Sequence, residues 1–453
     1  MIAEPTERTQ VAFTVGRWRD SVLSVGESLG PQFASAALYS LAGSVLSQVL
    51  NMIGMSVAAM VLGTDTFGKF AMVQNTTSLL GTLGAVGLGV TATSYVSRFR
   101  LQAPLRAANV IAASSVFASF FGLLLTIGLY VASPALAIRV LNDAGLSSTL
   151  RFAAMASLFH AIASAQTGSL AGFEAFRTIA IGNAFRGILS VAGVPLGAWF
   201  WGLNGAVTAY VISAALVCIF NEVLLRKECA RSGLRPRLRN AIAEYRLFQA
   251  FSLPVFIGSI IVGPTTWIAN AMLVKESGGF AELGIYAAAE RWRMAVLFAP
   301  ACLASVALPI LSSSSLSPAR FRSYLLNYGL VVVVLAAPPA AAVGLLATPI
   351  MSALGTGFAS GGPTLKLMAL ASIAVAANTA LGQALLSTQL AWLRLGIDVV
   401  LSLVFLVLCV WLIPVGHSAG MAGAFLASYV VAVGLLIAAV PYALRRAGSR
   451  GAE

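Results

Sequence analysis

Twelve apolar runs follow one another along the chain, at about 35–62, 67–97, 105–132, 151–172, 178–201, 203–226, 247–274, 281–311, 322–351, 362–388, 390–414 and 418–444. Each reaches the roughly 20 residues that a helix needs to cross a 30 Å hydrocarbon core. In lipid a helix satisfies its backbone N–H and C=O groups internally. The expected fold is therefore an all-α polytopic membrane protein of about twelve transmembrane helices. Composition agrees: 9% of the residues are charged and the mean hydropathy is +0.90, whereas soluble domains carry about 25% charged residues.

The longest polar interruption, RKECARSGLRPRLRNAIAEYR from Arg226 to Arg246, divides the runs six and six. The implied organisation is a cytoplasmic segment at 1–34, a first lobe at 35–226, a basic cytoplasmic linker at 227–246, a second lobe at 247–444 and a cytoplasmic tail at 445–453. No apolar stretch precedes Phe33, so the first span is expected to direct insertion. Val11, Val15, Trp18, Val22, Val25 and Leu29 recur at alternating spacings of four and three, which fits an amphipathic helix lying on the membrane surface. Cys218, Cys229, Cys302 and Cys409 lack metal-ligand spacing and read as small buried side chains.

A net charge of +13 raises nucleic acid as a partner, but the basic residues follow topology instead. With both termini cytoplasmic, 20 of the 28 Lys and Arg fall in inner segments and five in outer ones. That is the positive-inside bias of a membrane protein, and nucleic acid drops out as a partner.

Two short echoes suggest that the second lobe repeats the first. FGKFAMVQN at 67–75 resembles LGIYAAAER at 283–291, an offset of 216, and GLNGAVTA at 202–209 resembles GMAGAFLA at 420–427, an offset of 218. Six crossings return the chain to its starting side, so the halves would share one orientation, with a substrate site between them near the midplane.

Charges at that depth single out the eighth span. A charged side chain at the bilayer centre costs about 2.5–3.5 kcal/mol on insertion scales, so Glu290, Arg291 and Arg293 should face a partner or a wet cavity. At 100° per residue Arg291 and Arg293 point about 160° apart. The simplest assignment pairs Glu290 with Arg293 at i, i+3 and leaves Arg291 to face the other lobe; the reverse assignment, or one closed cluster of all three, stays open. A free guanidinium there suits a phosphate or pyrophosphate, which its planar fork binds bidentately. Gln74 and Asn75, Arg186, and Gln48 and Asn51 reach similar depths on the second, fifth and first spans. His160 could relay protons but reads more readily as a hydrogen-bonded core residue; Arg394 with Asp398, and Glu174 with Arg177, read mainly as structural or solvated groups. No cofactor or metal is indicated. No phosphate-binding glycine loop occurs, which excludes ATP hydrolysis in this chain; Glu290 motivates coupling to an ion gradient.

The runs VLGTDTFGKFAMVQNTTSLLGTLGAVGLGVTATSYVSRFR (61–100), QTGSLAGFEAFR (166–177), WIANAMLVKESGGFAELGIYAAAERWRMAVLFAPACLASVALPILS (267–312) and GTGFASGGP (355–363) resemble the Wzx-type polysaccharide or O-antigen flippases of the multidrug/oligosaccharidyl-lipid/polysaccharide exporter superfamily. The resemblance implies a V-shaped pair of six-helix lobes around a cationic cavity in a bacterial inner membrane. It implies movement of an undecaprenyl-pyrophosphate-linked oligosaccharide to the periplasmic leaflet for polysaccharide or lipopolysaccharide biosynthesis, with glycan polymerase and assembly proteins as partners besides the bilayer. It also implies a cavity lined by Gln48, Asn51, Gln74, Asn75, Trp267, Arg291 and Trp292. The first two spans offer amides where lipid II flippases carry arginines, which argues for a glycan other than a peptidoglycan precursor. The alternatives are a multidrug exporter of the same superfamily, which should carry an unpaired carboxylate in the first lobe, and a membrane glycan polymerase or transferase, which should carry a large extramembrane loop.

Overall fold

A computed structural model describes residues 31–85, 87–234, 260, 263–311, 318–388 and 390–450. The amphipathic segment expected before Phe33 and most of the basic linker lie outside the described residues. The helices are α1 (Pro31–Ala85), α2 (Leu88–Gln102), α3 (Pro104–Ala135), α4 (Leu146–Gly172), α5 (Phe176–Arg231), α6 (Pro264–Val274), α7 (Gly279–Leu311), α8 (Pro318–Leu345), α9 (Ala347–Ala353), α10 (Gly362–Ser387) and α11 (Ala391–Arg450), with no strand among the described residues. The chain is all-α and multi-pass. Helix α5 runs five residues past the sequence-based lobe limit at 226, and α11 continues through the expected tail to Arg450.

Three helices are far longer than a bilayer requires, because two spans are joined through a single turn. The 60 residues of α11 would reach about 90 Å if straight. Gly63 (φ 71°) interrupts α1, Trp201 and Gly202 (φ 55°, ψ −134°) interrupt α5, and His417 (φ 47°, ψ −124°) interrupts α11. Beside the Gly202 and His417 turns the joined segments touch backbone to backbone: a Cβ on Gly205 would overlap the carbonyl of Gly197, and one on Gly420 that of Leu412. On the first segment of α11, Trp392 and Trp411 are exposed and 19 residues apart, about 28 Å along the helix, matching two interfacial aromatic belts.

These turns correct the register of the second echo. Gly202 and His417 share one backbone conformation, and Gly197 with Gly205 packs as Leu412 packs with Gly420, so the true offset is 215. Aligning Gly202 with Gly420 matches glycine to glycine but shifts the helices by three residues. Gly63 and Gly278, both at φ 71°, obey the same offset of 215.

The apolar core shows where the halves join. One cluster collects Phe67, Phe70, Leu146, Val207, Leu283, Phe358, Met421 and their neighbours from both halves. Toward the other end the core splits into one cluster drawn from 88–234 and two drawn from 325–436. The molecule is thus joined at one end and divided at the other. Helix α1 makes the join, packing against α6, α7 and the 3-10 turn Thr356–Gly361. Its closest approach is a pair of glycines, since a Cβ on Gly68 would strike the Phe280 carbonyl and one on Gly284 the Thr64 carbonyl.

Candidate functional site

Helix α7 carries Glu290, Arg291 and Arg293 about 18 Å from its start, and it is not among the seven stretches of the described residues that are long and apolar enough to cross a membrane by composition. Arg293 Nε donates to Glu290 Oε2 at 2.7 Å, and its Nη2 donates to Oε1, forming a bidentate fork. The Arg293 guanidinium also lies 4.9 Å from the Phe425 ring centroid. This side of the helix is electrically closed.

Arg291 turns the other way. Its Nη2 donates to Gln74 Oε1 on α1, and among the described residues it forms no ion pair. The closed three-residue cluster is therefore not what forms. Glu290 spends both carboxylate oxygens on Arg293.

Around Gln74 the polar residues of α1 are tied down one by one. Trp267 Nε1 donates to Thr76 Oγ1 at 2.9 Å, and the Tyr210 hydroxyl lies 3.3 Å from both Thr77 Oγ1 and Ser78 Oγ. Tyr210 is within electrostatic range of both Arg186 and Arg291, and its ring centroid is 5.6 Å from that of His160. Asn51 Nδ2 donates to Ser190 Oγ at 3.0 Å. Asn51, Gln74, Ser78, His160, Arg186 and Tyr210 border a cavity of about 180 Å³. A second cavity of about 860 Å³ shares Ser78, His160 and Arg186 and runs toward Thr93 and Ala171, into the divided end of the molecule.

The structure thus brings Arg291, Gln74, Asn51, Arg186 and Trp267 to one neighbourhood. Gln48 and Asn75 are half-buried and take part in none of these contacts, while Trp292 packs against the main core. Sequence reasoning missed Tyr210, Thr76, Ser78 and Ser190, whose hydroxyls sit singly in apolar runs and carry no spacing signal. It also favoured a hydrogen-bonded His160, whose Nδ1 is buried with no partner among the described residues. Two lesser pairs are structural: Glu174 binds Arg100 at 2.7 Å rather than Arg177, and Arg394 binds Asp398 at 2.7 Å, in space left by Gly382.

Comparison with known proteins bears on this arrangement. The EPS I polysaccharide export inner membrane protein EpsE of Ralstonia solanacearum is 25% identical over 315 residues, covering 66% of this chain and 68% of that protein. Among solved structures, an inward-facing multidrug resistance MATE family transporter of the MOP superfamily superimposes with a TM-score of 0.69 at 15% identity, covering 91% of this chain and 98% of its own. The lipid II flippase MurJ in an inward closed conformation follows at a TM-score of 0.64 and 13% identity, covering 92% and 90%. These two are likenesses of fold. A family model described as "Polysaccharide biosynthesis protein" matches residues 33–315, more than half of the chain, so this protein belongs to the polysaccharide biosynthesis protein family and is built on the fold of the MOP-superfamily transporters.

Proposed function

We infer that this protein flips an undecaprenyl-pyrophosphate-linked oligosaccharide from the cytoplasmic to the periplasmic leaflet of a bacterial inner membrane, by alternating access. The observation that carries this reading is Arg291. It is a guanidinium at membrane depth that donates to a neutral amide, on the helix that packs against α1 at the join. Such a group is poised for an oxyanion, and pyrophosphate offers a bidentate partner at a depth that a polyprenyl anchor can reach from the lipid. Family membership and the polysaccharide export relative support a glycan as the cargo.

The three turn-joined helices and the recurrence at 215 residues support twelve spans in two six-helix lobes, at 35–226 and 247–444. The positive-inside bias supports cytoplasmic termini. On that orientation the joined end is periplasmic and the divided end cytoplasmic, so this state would load from the cytoplasm. Gln74 would release Arg291 to the pyrophosphate and take it back afterwards. Among the described residues, neither cavity at the site is bordered by Asp or Glu, which opposes cationic drugs as cargo.

The test is leaflet sidedness of the lipid-linked oligosaccharide in cells depleted of the protein, with Arg291→Ala and Arg291→Lys supplied at matched membrane abundance. Accumulation on the cytoplasmic leaflet, no rescue by Ala and partial rescue by Lys are expected. Normal export without the protein would refute the reading.

A further inference from the structure

Arg186 is the second guanidinium at the site, and Arg291 does not account for it. It sits about 15 Å into α5, in contact with both cavities, and much of its side chain is exposed to them. Among the described residues it forms no ion pair and no hydrogen bond. The groups facing it are neutral or donors: Asn51, Ser78, Asn183, Ser190, the Tyr210 hydroxyl and His160. A cation kept at membrane depth without a carboxylate calls for an anionic occupant.

Position decides which anion. The 180 Å³ cavity reaches Gln74, which holds Arg291, whereas the 860 Å³ cavity leads away from Arg186 toward Thr93 and Ala171. Arg186 stands at the junction. That larger cavity lies within the range of small-molecule sites, about 300–1,000 Å³. Thr93, Ser164 and Thr167 border it; the Thr93 and Thr167 hydroxyls already donate to backbone carbonyls, so their oxygens face the cavity as acceptors for sugar hydroxyls. With a pyrophosphate on Arg291, the chain of sugars has this cavity to enter, and its first part passes Arg186.

We propose that Arg186 forms a second oxyanion subsite which binds a carboxylate or phosphate on a sugar of the substrate, so that the glycan carried is an acidic one. This rests on the flippase reading for the name of the substrate, but the subsite can be tested without it. The full-length protein in detergent would be followed by thermal unfolding with glucuronate, glucose 1-phosphate, glucose, and undecaprenyl pyrophosphate lacking sugar.

At least one of the charged sugars should raise Tm saturably while glucose does not, and whichever acts identifies the carboxylate or the phosphate as the source. Arg186→Gln should weaken that binding by about tenfold or more, as loss of a charge-assisted hydrogen bond predicts, whereas Arg291→Gln should change it by less than about threefold. Undecaprenyl pyrophosphate should show the opposite dependence. Unliganded Arg186→Gln should melt at or above the wild-type temperature, because it removes an uncompensated charge, and Arg186→Lys should retain part of the binding. The subsite is refuted if neither charged sugar outperforms glucose, if binding survives Arg186→Gln, or if that variant does not fold. If the charged sugars depend on Arg186 while undecaprenyl pyrophosphate does not bind, the subsite stands and the polyprenyl-linked substrate is the part that fails.

Discussion

Two arginines two positions apart on α7 have opposite fates, and the cause is helix geometry. Arg293 reaches back one turn to Glu290, while Arg291 points across to α1. Removing one member of the buried pair strands the other charge, so Glu290→Ala should destabilise the protein by about 3–5 kcal/mol, read as a lower Tm and reduced membrane abundance. Arg291→Ala strands only Gln74, so it should leave Tm close to wild type while translocation is lost. Equal thermal losses in the two variants would show Arg291 to be structural. His417 offers a separate test, since its left-handed backbone is the conformation that Gly202 adopts in the first half and its Nδ1 is buried without a partner. Relief of backbone strain in His417→Gly should add about 1 kcal/mol of stability, seen as a higher Tm.

At the level of elements, the crossing of α1 and α7 controls the joined end. The Gly68 and Gly284 contacts are reciprocal: each glycine meets a carbonyl four residues before the other. Backbone-to-backbone contact of this kind accepts no methyl group. Gly68→Ala and Gly284→Ala should therefore push the helices apart and populate the state open at this end. Asn75→Cys should then react faster with a membrane-impermeant maleimide applied from the side of the joined end, and unchanged labelling would dismiss the crossing as a gate. Helices α5 and α11 illustrate a limit of sequence reading. Their joined spans read as paired apolar runs that break at 202 and at 415–417, where the turns form, but the shared backbone conformation does not show in the sequence, because His417 does the work of a glycine without resembling one.

For the whole molecule, a core shared at one end and split at the other means that alternating access requires the join to open. Thr64 and Gly357 straddle that join, and a Cβ on Gly357 would lie 3.8 Å from the Thr64 Cβ, within the usual range of about 3.5–4.5 Å for a disulfide. In a background without the four native cysteines, Thr64→Cys with Gly357→Cys should form a disulfide on oxidation, stop translocation, and recover on reduction. Export that continued with the bond formed would mean the halves need not separate there.

The sequence alone carried the fold class, the tally of apolar runs, an orientation expected from basic residues and the family resemblance, and it made Arg291 the simplest choice over Arg293 as the outward-looking cation while leaving the reverse open. Each of these depends on hydrophobicity, local charge or helical phase, which are properties of neighbouring residues. Tertiary structure alone paired Arg291 with Gln74, 217 positions away. It also brought Tyr210 to Thr77, Ser78 and the His160 ring, left Arg186 facing a cavity with no carboxylate among the described residues that border it, and set the repeat at 215 rather than 218. Those outcomes depend on which helices meet and at what depth, and in a chain so rich in small apolar residues many packings satisfy the same local pattern until backbones touch.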